Sequence, residues 1–240
     1  MQGTFYGVGV GPGDPDLITL KAVKILREAD VVIAPRTEKK ESSTALFIAR
    51  SFIRQDVHVL ELVFPMVFDP DILAAAWEHN KNVIISFLSE GKNVAFLTLG
   101  DPMLYSTYFY IYRLLEGKGL KIETVPGVTS FCAAASRLGL PLAEGNDVLS
   151  IVPATLAEEK IEKVLSCSDS LVLMRVYKNY DQIVGQLNKC GLSENAVMVS
   201  RCGFVDEEIT CNLNDGGDKK PNYLSTILAR KRSAGSGNND

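Results

Sequence analysis

The sequence predicts an α/β protein of two lobes, with a mainly parallel sheet in the first lobe and a mixed sheet in the second. Through the first half, short runs rich in β-branched residues alternate with amphipathic stretches, the pattern of β-α-β units. Towards the end, strand-like runs follow one another, which favours antiparallel or mixed pairing. The length, 240 residues, suits one large or two modest domains. Such a chain can bury roughly 70–75% of its unfolded surface without disulfides.

The elements follow in order. Residues 5–10 read as the first strand, and 17–28 as a helix because Ile18, Ala22, Ile25 and Leu26 share one face. Residues 31–34, 57–62, 93–98 and 121–125 read as further strands. Helices are predicted over 72–90, 104–115 and 128–138, the last ended by Gly139-Leu140-Pro141. Strands follow near 148–152, 171–176, 197–201, 209–213 and 223–229. The stretch 117–127 carries the expected boundary, giving lobes of 1–118 and 119–232. Residues 214–222 read as a polar loop, and 233–240 have the composition of a disordered tail.

The net charge of −4 and pI near 5.4 remove the overall electrostatic footprint usual in proteins that grip nucleic acid. Cys132, Cys167, Cys190, Cys202 and Cys211 are odd in number and form no C-x-x-C, so neither a zinc pattern nor a disulfide framework emerges. They read as reduced thiols in or near the core. His58 and His79 show no ligand spacing, and no protein-bound metal is expected. Neither a signal-peptide pattern nor an apolar run near the roughly 20 residues of a membrane helix occurs, so a soluble, cytoplasmic protein without a membrane partner is expected.

The most informative stretch is GVGVGPGDPDLITLKA, residues 7–22. Its glycines invite a dinucleotide reading, but no register of G-x-G-x-x-G fits: the sixth position is Pro12, Asp14 or Asp16. Gly91-Lys92 and Gly117-Lys118 are followed by Asn93 and Gly119, so no Walker loop exists either. Carboxylates at Asp14 and Asp16 further oppose a phosphate. Gly-Asp-Pro then recurs at 100–102, again after a strand. Each Asp suits a helix N-cap and each Pro a first helical position, so capping explains both tripeptides without excluding binding. In an open parallel sheet both loops lie at the carboxyl edge, where ligands gather. Exposed N–H groups beside carboxylates suit a ligand of both charges and no phosphate, such as S-adenosylmethionine (SAM).

GVGVGPGDPDLITLKAVKILREADVV, VAFLTLGDPMLYSTYF and TVPGVTSF, in that order, resemble the tetrapyrrole (corrin/porphyrin) methylase family, over about residues 5–230. Within it the resemblance is to the branch that methylates C-20 of precorrin-2 or cobalt-factor II in cobalamin synthesis. The resemblance implies a two-lobed fold, a homodimer, and SAM folded into the cleft between lobes. It assigns Pro12, Leu99, Gly100, Asp101, Met103, Leu104, Thr129 and Ser130 to the cofactor, and places Met174 and Gly203 near the adenine. Relatives acting on uroporphyrinogen continue the second motif with Gly-Arg and a Glu; Ser106-Thr107 and Tyr110 stand here instead, which argues against that substrate.

A tetrapyrrole carries several carboxylates, and an acidic protein must concentrate cations locally to hold it. Arg36 and Arg175 follow strands and are the candidates; Lys39 and Lys40 are weaker ones. Tyr105, in the aromatic run YSTYFYIY, is the candidate for ring contact, while Tyr108, Phe109 and Tyr112 also read as core. An electron-rich macrocycle is its own nucleophile, so no catalytic base is assigned. Family branches acting on RNA or a protein histidine, and a non-catalytic SAM-binding module, remain as alternatives.

Overall fold

A computed structural model describes residues 2–38, 42–65, 69–215 and 220–231. Lys39, Lys40, residues 216–219 of the polar loop and the tail 233–240 lie outside them. The chain divides into two compact units, Met1–Thr129 and Ser130–Asp240.

The first unit is built on β1 (Thr4–Gly9), β2 (Val31–Arg36), β3 (His58–Val63), β4 (Val94–Thr98) and β5 (Lys121–Val125), in the order β3-β2-β4-β1-β5. All four pairings are parallel. The central strands read as continuous apolar runs because both their faces are covered. β5 pairs with β1 from Thr4↔Lys121 to Val8↔Val125, so it completes the first sheet. The compact units therefore divide after Thr129, whereas a boundary at 118/119 cuts β5 from its partner.

Helices α1 (Leu20–Glu28), α2 (Thr44–Ala49), α3 (Pro70–Ser89) and α4 (Tyr108–Leu115) connect the strands. The helix expected over 17–28 is two elements. Asp14 accepts from Asp16 N–H (2.9 Å) and starts a 3-10 turn, Pro15–Leu17, while Thr19 caps α1 through Ala22 N–H (3.2 Å). Likewise α4 starts at Tyr108 rather than 104, because Tyr105 holds a left-handed backbone (φ 49°) that a helix cannot contain. The core packs Phe5, Phe96 and Tyr108, with Phe5 stacked on Tyr108 at 5.8 Å. Gly7 makes this possible, since a Cβ there lies 2.2 Å from the Tyr108 ring.

The second unit contains α5 (Ser130–Leu138), β6 (Leu149–Pro153), α6 (Glu158–Cys167), β7 (Ser170–Met174), α7 (Tyr180–Lys189), β8 (Ala196–Ser200), β9 (Glu208–Thr210) and β10 (Ser225–Arg230). Its sheet runs β6-β7-β10-β8-β9 and is mixed, with β6 parallel to β7 and the other pairs antiparallel. The cysteines correct an expectation: Cys132, Cys167, Cys190 and Cys211 are exposed, and only Cys202 is buried. The exposed four fall on outward helix positions, helix ends or a loop, so the burial habit of free cysteine is overridden by register. No helix among the described residues is long and apolar enough to cross a membrane.

Candidate functional site

Three loops leave the carboxyl edge of the first sheet from adjacent strands β4, β1 and β5, and backbone hydrogen bonds tie them together. Val10 N–H donates to the Thr98 carbonyl (2.9 Å) and Gly100 N–H to the Gly11 carbonyl (2.8 Å). Asp101 joins the third loop: one carboxylate oxygen accepts from Met103 N–H (2.8 Å), the other from Gly127 N–H (3.0 Å). Unlike Asp14, Asp101 starts no helix; its carboxylate braces one loop against another. A Cβ on Gly127 lies 2.1 Å from the Gly100 carbonyl oxygen, and one on Gly9 lies 2.5 Å from Gly127 N. Only hydrogen fits where these chains cross.

Gly100 differs. Its backbone is left-handed (φ 70°), and a Cβ there meets nothing closer than Val128 O at 3.9 Å. Gly100 is buried, yet there is room beside its backbone for a further atom. Beside it, the Thr129 hydroxyl is buried without a hydrogen-bond partner in the protein, as is that of Thr98 at the end of β4. Buried hydroxyls are ordinarily paired, so these two suit a ligand with polar groups. Pro12, Leu99, Gly100, Asp101, Met103, Leu104 and Thr129 all lie on these joined loops. Met103 and Tyr105 are exposed, at 52% and 43%.

Arg36 is the last residue of β2 and pairs with Glu61 of β3, Nε to Oε2 3.3 Å. Pro35 before it lacks an N–H, which is tolerated because β2 pairs with β4 only as far as Ile33.

In the second unit, Ser130 opens α5, and Met174 ends β7 with its carbonyl accepting from Ala154 N–H (2.7 Å). Arg175 and Arg201 follow the ends of β7 and β8 in left-handed conformations (φ 61° and 53°). Such backbones cost about 1–3 kcal/mol in a residue other than glycine, and they cluster at functional sites. Register brings these ends together: Thr226 of β10 pairs with Met174, and Ser225 with Ser200. Met174, Arg175 and Gly203 therefore share one end of this sheet. Gly203 N–H donates to Glu207 (2.8 Å), which also accepts from Arg137 Nε (2.9 Å). Burial pushes the Glu207 carboxyl up, but the Gly203 N–H and the Arg137 guanidinium outweigh it and hold it below its ordinary value. The neighbouring Cys202 thiol is pushed up to about 11, first by burial and then by Glu207.

Trp77 and Phe64 lie in no motif, whereas Tyr110 is one of the departures noted in the second family motif. The three form a run of rings, Phe64 to Trp77 at 4.9 Å and Trp77 to Tyr110 at 5.2 Å. Tyr110 also lies in the aromatic run after the second glycine loop, but nothing in the sequence ties it to Trp77 or Phe64.

An open parallel sheet with joined glycine loops and unpaired hydroxyls at its carboxyl edge is the arrangement in which α/β proteins commonly bind small molecules. The family can be stated too: the chain belongs to the tetrapyrrole (corrin/porphyrin) methylases, whose family model matches residues 4–215. It is 38% identical to the cobalt-precorrin-2 C(20)-methyltransferase of Salmonella typhimurium, over 97% of this chain and 98% of that protein. It is 32% identical to the precorrin-2 C(20)-methyltransferase of a Sinorhizobium species, over 94% of each. Among solved structures, a cobalt precorrin-4 methyltransferase superposes with a TM-score of 0.72 at 24% identity, over 95% of this chain and 94% of that one. The uroporphyrin-III C-methyltransferase of Thermus thermophilus, solved with S-adenosylhomocysteine, gives 0.68 at 22%, over 94% and 97%. The last two likenesses concern the fold.

Proposed function

We propose that the protein is a SAM-dependent methyltransferase that adds a methyl group to C-20 of precorrin-2 or its cobalt complex. The observation that carries this reading is the 38% identity spanning nearly all of both chains, with a relative named for that reaction. The joined loops with a bare Gly100 backbone and an unpaired Thr129 hydroxyl support it as a cofactor cradle.

When bound, SAM would supply a methyl group on a sulfonium, a neutral thioether leaving as the ring carbon attacks and that carbon's proton passing to water or a substrate carboxylate. The protein's own residues orient and exclude water. In this reading the backbone of Leu99, Gly100 and Asp101 and the side chain of Thr129 hold polar ends of the cofactor. Pro12, Met103, Leu104, Ser130, Met174 and Gly203 complete its surroundings. Arg36 and Arg175 receive carboxylates of the macrocycle, and Tyr105 lies against the ring. Such alignment contributes up to roughly 7–11 kcal/mol to rate without a protein nucleophile. We assign the protein to the cytoplasm as a homodimer without a nucleic-acid or membrane partner, and cobalt, where present, belongs to the substrate.

The test is anaerobic incubation with methyl-labelled SAM and precorrin-2, with and without cobalt, followed by carbon NMR of the product. A single new methyl at C-20 is expected. A signal at another ring position overturns the regiochemistry, and no transfer under conditions where SAM binds overturns the substrate.

A further inference from the structure

We propose that Trp77 and Tyr110 form an aromatic shelf that receives a face of the tetrapyrrole ring, with Tyr110 as its exposed contact. The inference rests on the functional reading above and adds residues to it. α3 and α4 are neighbours, and both begin at the carboxyl edge of the first sheet, because each follows a strand of that sheet directly or by a short loop. Asn80, 3% exposed, fixes α3 at that level by donating from Nδ2 to the Val63 carbonyl at the end of β3 (2.9 Å). Phe64, the next residue, packs beneath Trp77, and Trp77 in turn lies against Tyr110 at an interplanar angle of 51°.

A ring ladder of this kind ordinarily ends in the core. Here it ends in water: Phe64 is 5% exposed and Tyr110 60%. Tyr110 lies on α4, a few residues beyond the exposed Met103 and Tyr105 of the cofactor-loop segment, so exposed apolar side chains stand both on that loop and at the start of the helix it leads into. Exposed apolar side chains close in the chain to a polar cradle suit a ligand with apolar faces.

A second observation points the same way. Along β4, Thr98 shares a face with Phe96, which packs edge-on against Phe64 at 5.9 Å. The Thr98 hydroxyl belongs to a residue only 6% exposed, and it has no partner in the protein. The shelf side of the sheet thus carries an unsatisfied polar group at its carboxyl rim. A flat macrocycle with apolar faces and polar arms matches an aromatic wall with a hydroxyl at its foot.

The experiment compares wild type with Tyr110→Ala, Tyr110→Phe and Trp77→Phe. It measures KM and kcat for precorrin-2, SAM affinity by calorimetry, and mass in solution. Trp77 is the chain's only tryptophan, so its emission during a precorrin-2 titration reports on the shelf directly. Tyr110→Ala is expected to raise KM for precorrin-2 by roughly ten-fold, the loss of one well-packed ring contact. Its SAM affinity and mass should be unchanged, Tyr110→Phe should restore most of the loss, and the Trp77 titration midpoint should move by the same factor. An unchanged KM, equal loss of SAM affinity, or a change in mass that marks the face as a subunit contact each overturns the shelf. Wild type that binds SAM yet neither methylates precorrin-2 nor alters Trp77 emission overturns the functional reading itself. Wild-type turnover with unaffected variants overturns the shelf alone.

Discussion

Two glycines in the loop knot should respond to alanine in opposite ways. At Gly127 the new methyl lies 2.1 Å from the Gly100 carbonyl oxygen and 2.9 Å from Gly9 backbone atoms, so backbone must move. The oxygen cannot retreat alone, because Gly100 N–H is bonded to Gly11 and Gly127 N–H to Asp101. Overpacking costs about 1–3 kcal/mol, and loss of a hydrogen bond to a carboxylate about 1.5–3, giving roughly 2.5–6 kcal/mol for Gly127→Ala. Gly100→Ala meets no atom within 3.9 Å and bears only the left-handed penalty of about 1–2 kcal/mol. Its methyl instead takes up the room beside the loop backbone where the cofactor is proposed to lie. Urea unfolding with SAM calorimetry separates the two: Gly127→Ala should lose stability heavily, whereas Gly100→Ala should stay folded and lose SAM affinity. Wild-type affinity in Gly100→Ala, or wild-type stability in Gly127→Ala, refutes the reasoning.

Arg36→Ala and Arg175→Ala should raise KM for the tetrapyrrole more than for SAM in steady-state kinetics; equal effects on both point to a disturbed fold. Tyr108→Phe removes the 2.7 Å bond to the Thr124 hydroxyl and should cost about 1 kcal/mol in chemical denaturation. Burial also pushes the Tyr108 phenol from 10.0 up to about 12, so its neutral form is favoured in the fold. That stability is fully present below pH 10 and is lost as pH rises towards 12; the Phe variant should lose this part of the alkaline slope. With a thiol reagent, Cys132, Cys167, Cys190 and Cys211 should react in the native protein, while Cys202, buried and raised to about 11, should wait for unfolding. Rapid labelling of Cys202 contradicts its placement.

Legibility followed the range of the interactions. Alternation of strand and helix patterns identified the parallel first sheet and mixed second one, because burial periodicity is local. The six-residue α2 went unread: it follows a polar stretch and is too short for a helical period to register. The start of α4 was misplaced because left-handed Tyr105 is not a residue type that announces that conformation. At the site, the family motifs named loops that do meet, yet the duty of Asp101 towards Gly127 spans 26 positions and is a product of the fold. Trp77 and Tyr110 touch across two helices, and no spacing rule connects them.

The crossing of Gly9, Gly100 and Gly127 also dates the cradle within folding. Its three strands are neighbours in the sheet but are contributed by opposite ends of the first unit, so their loops meet only after long chain closures. A chain emerging from synthesis as far as residue 118 holds β1 to β4 but no β5, so Gly127 is missing from the crossing and Asp101 lacks its partner N–H. A cofactor held by the cradle as proposed would therefore find its complete set of loops only once β5 has docked.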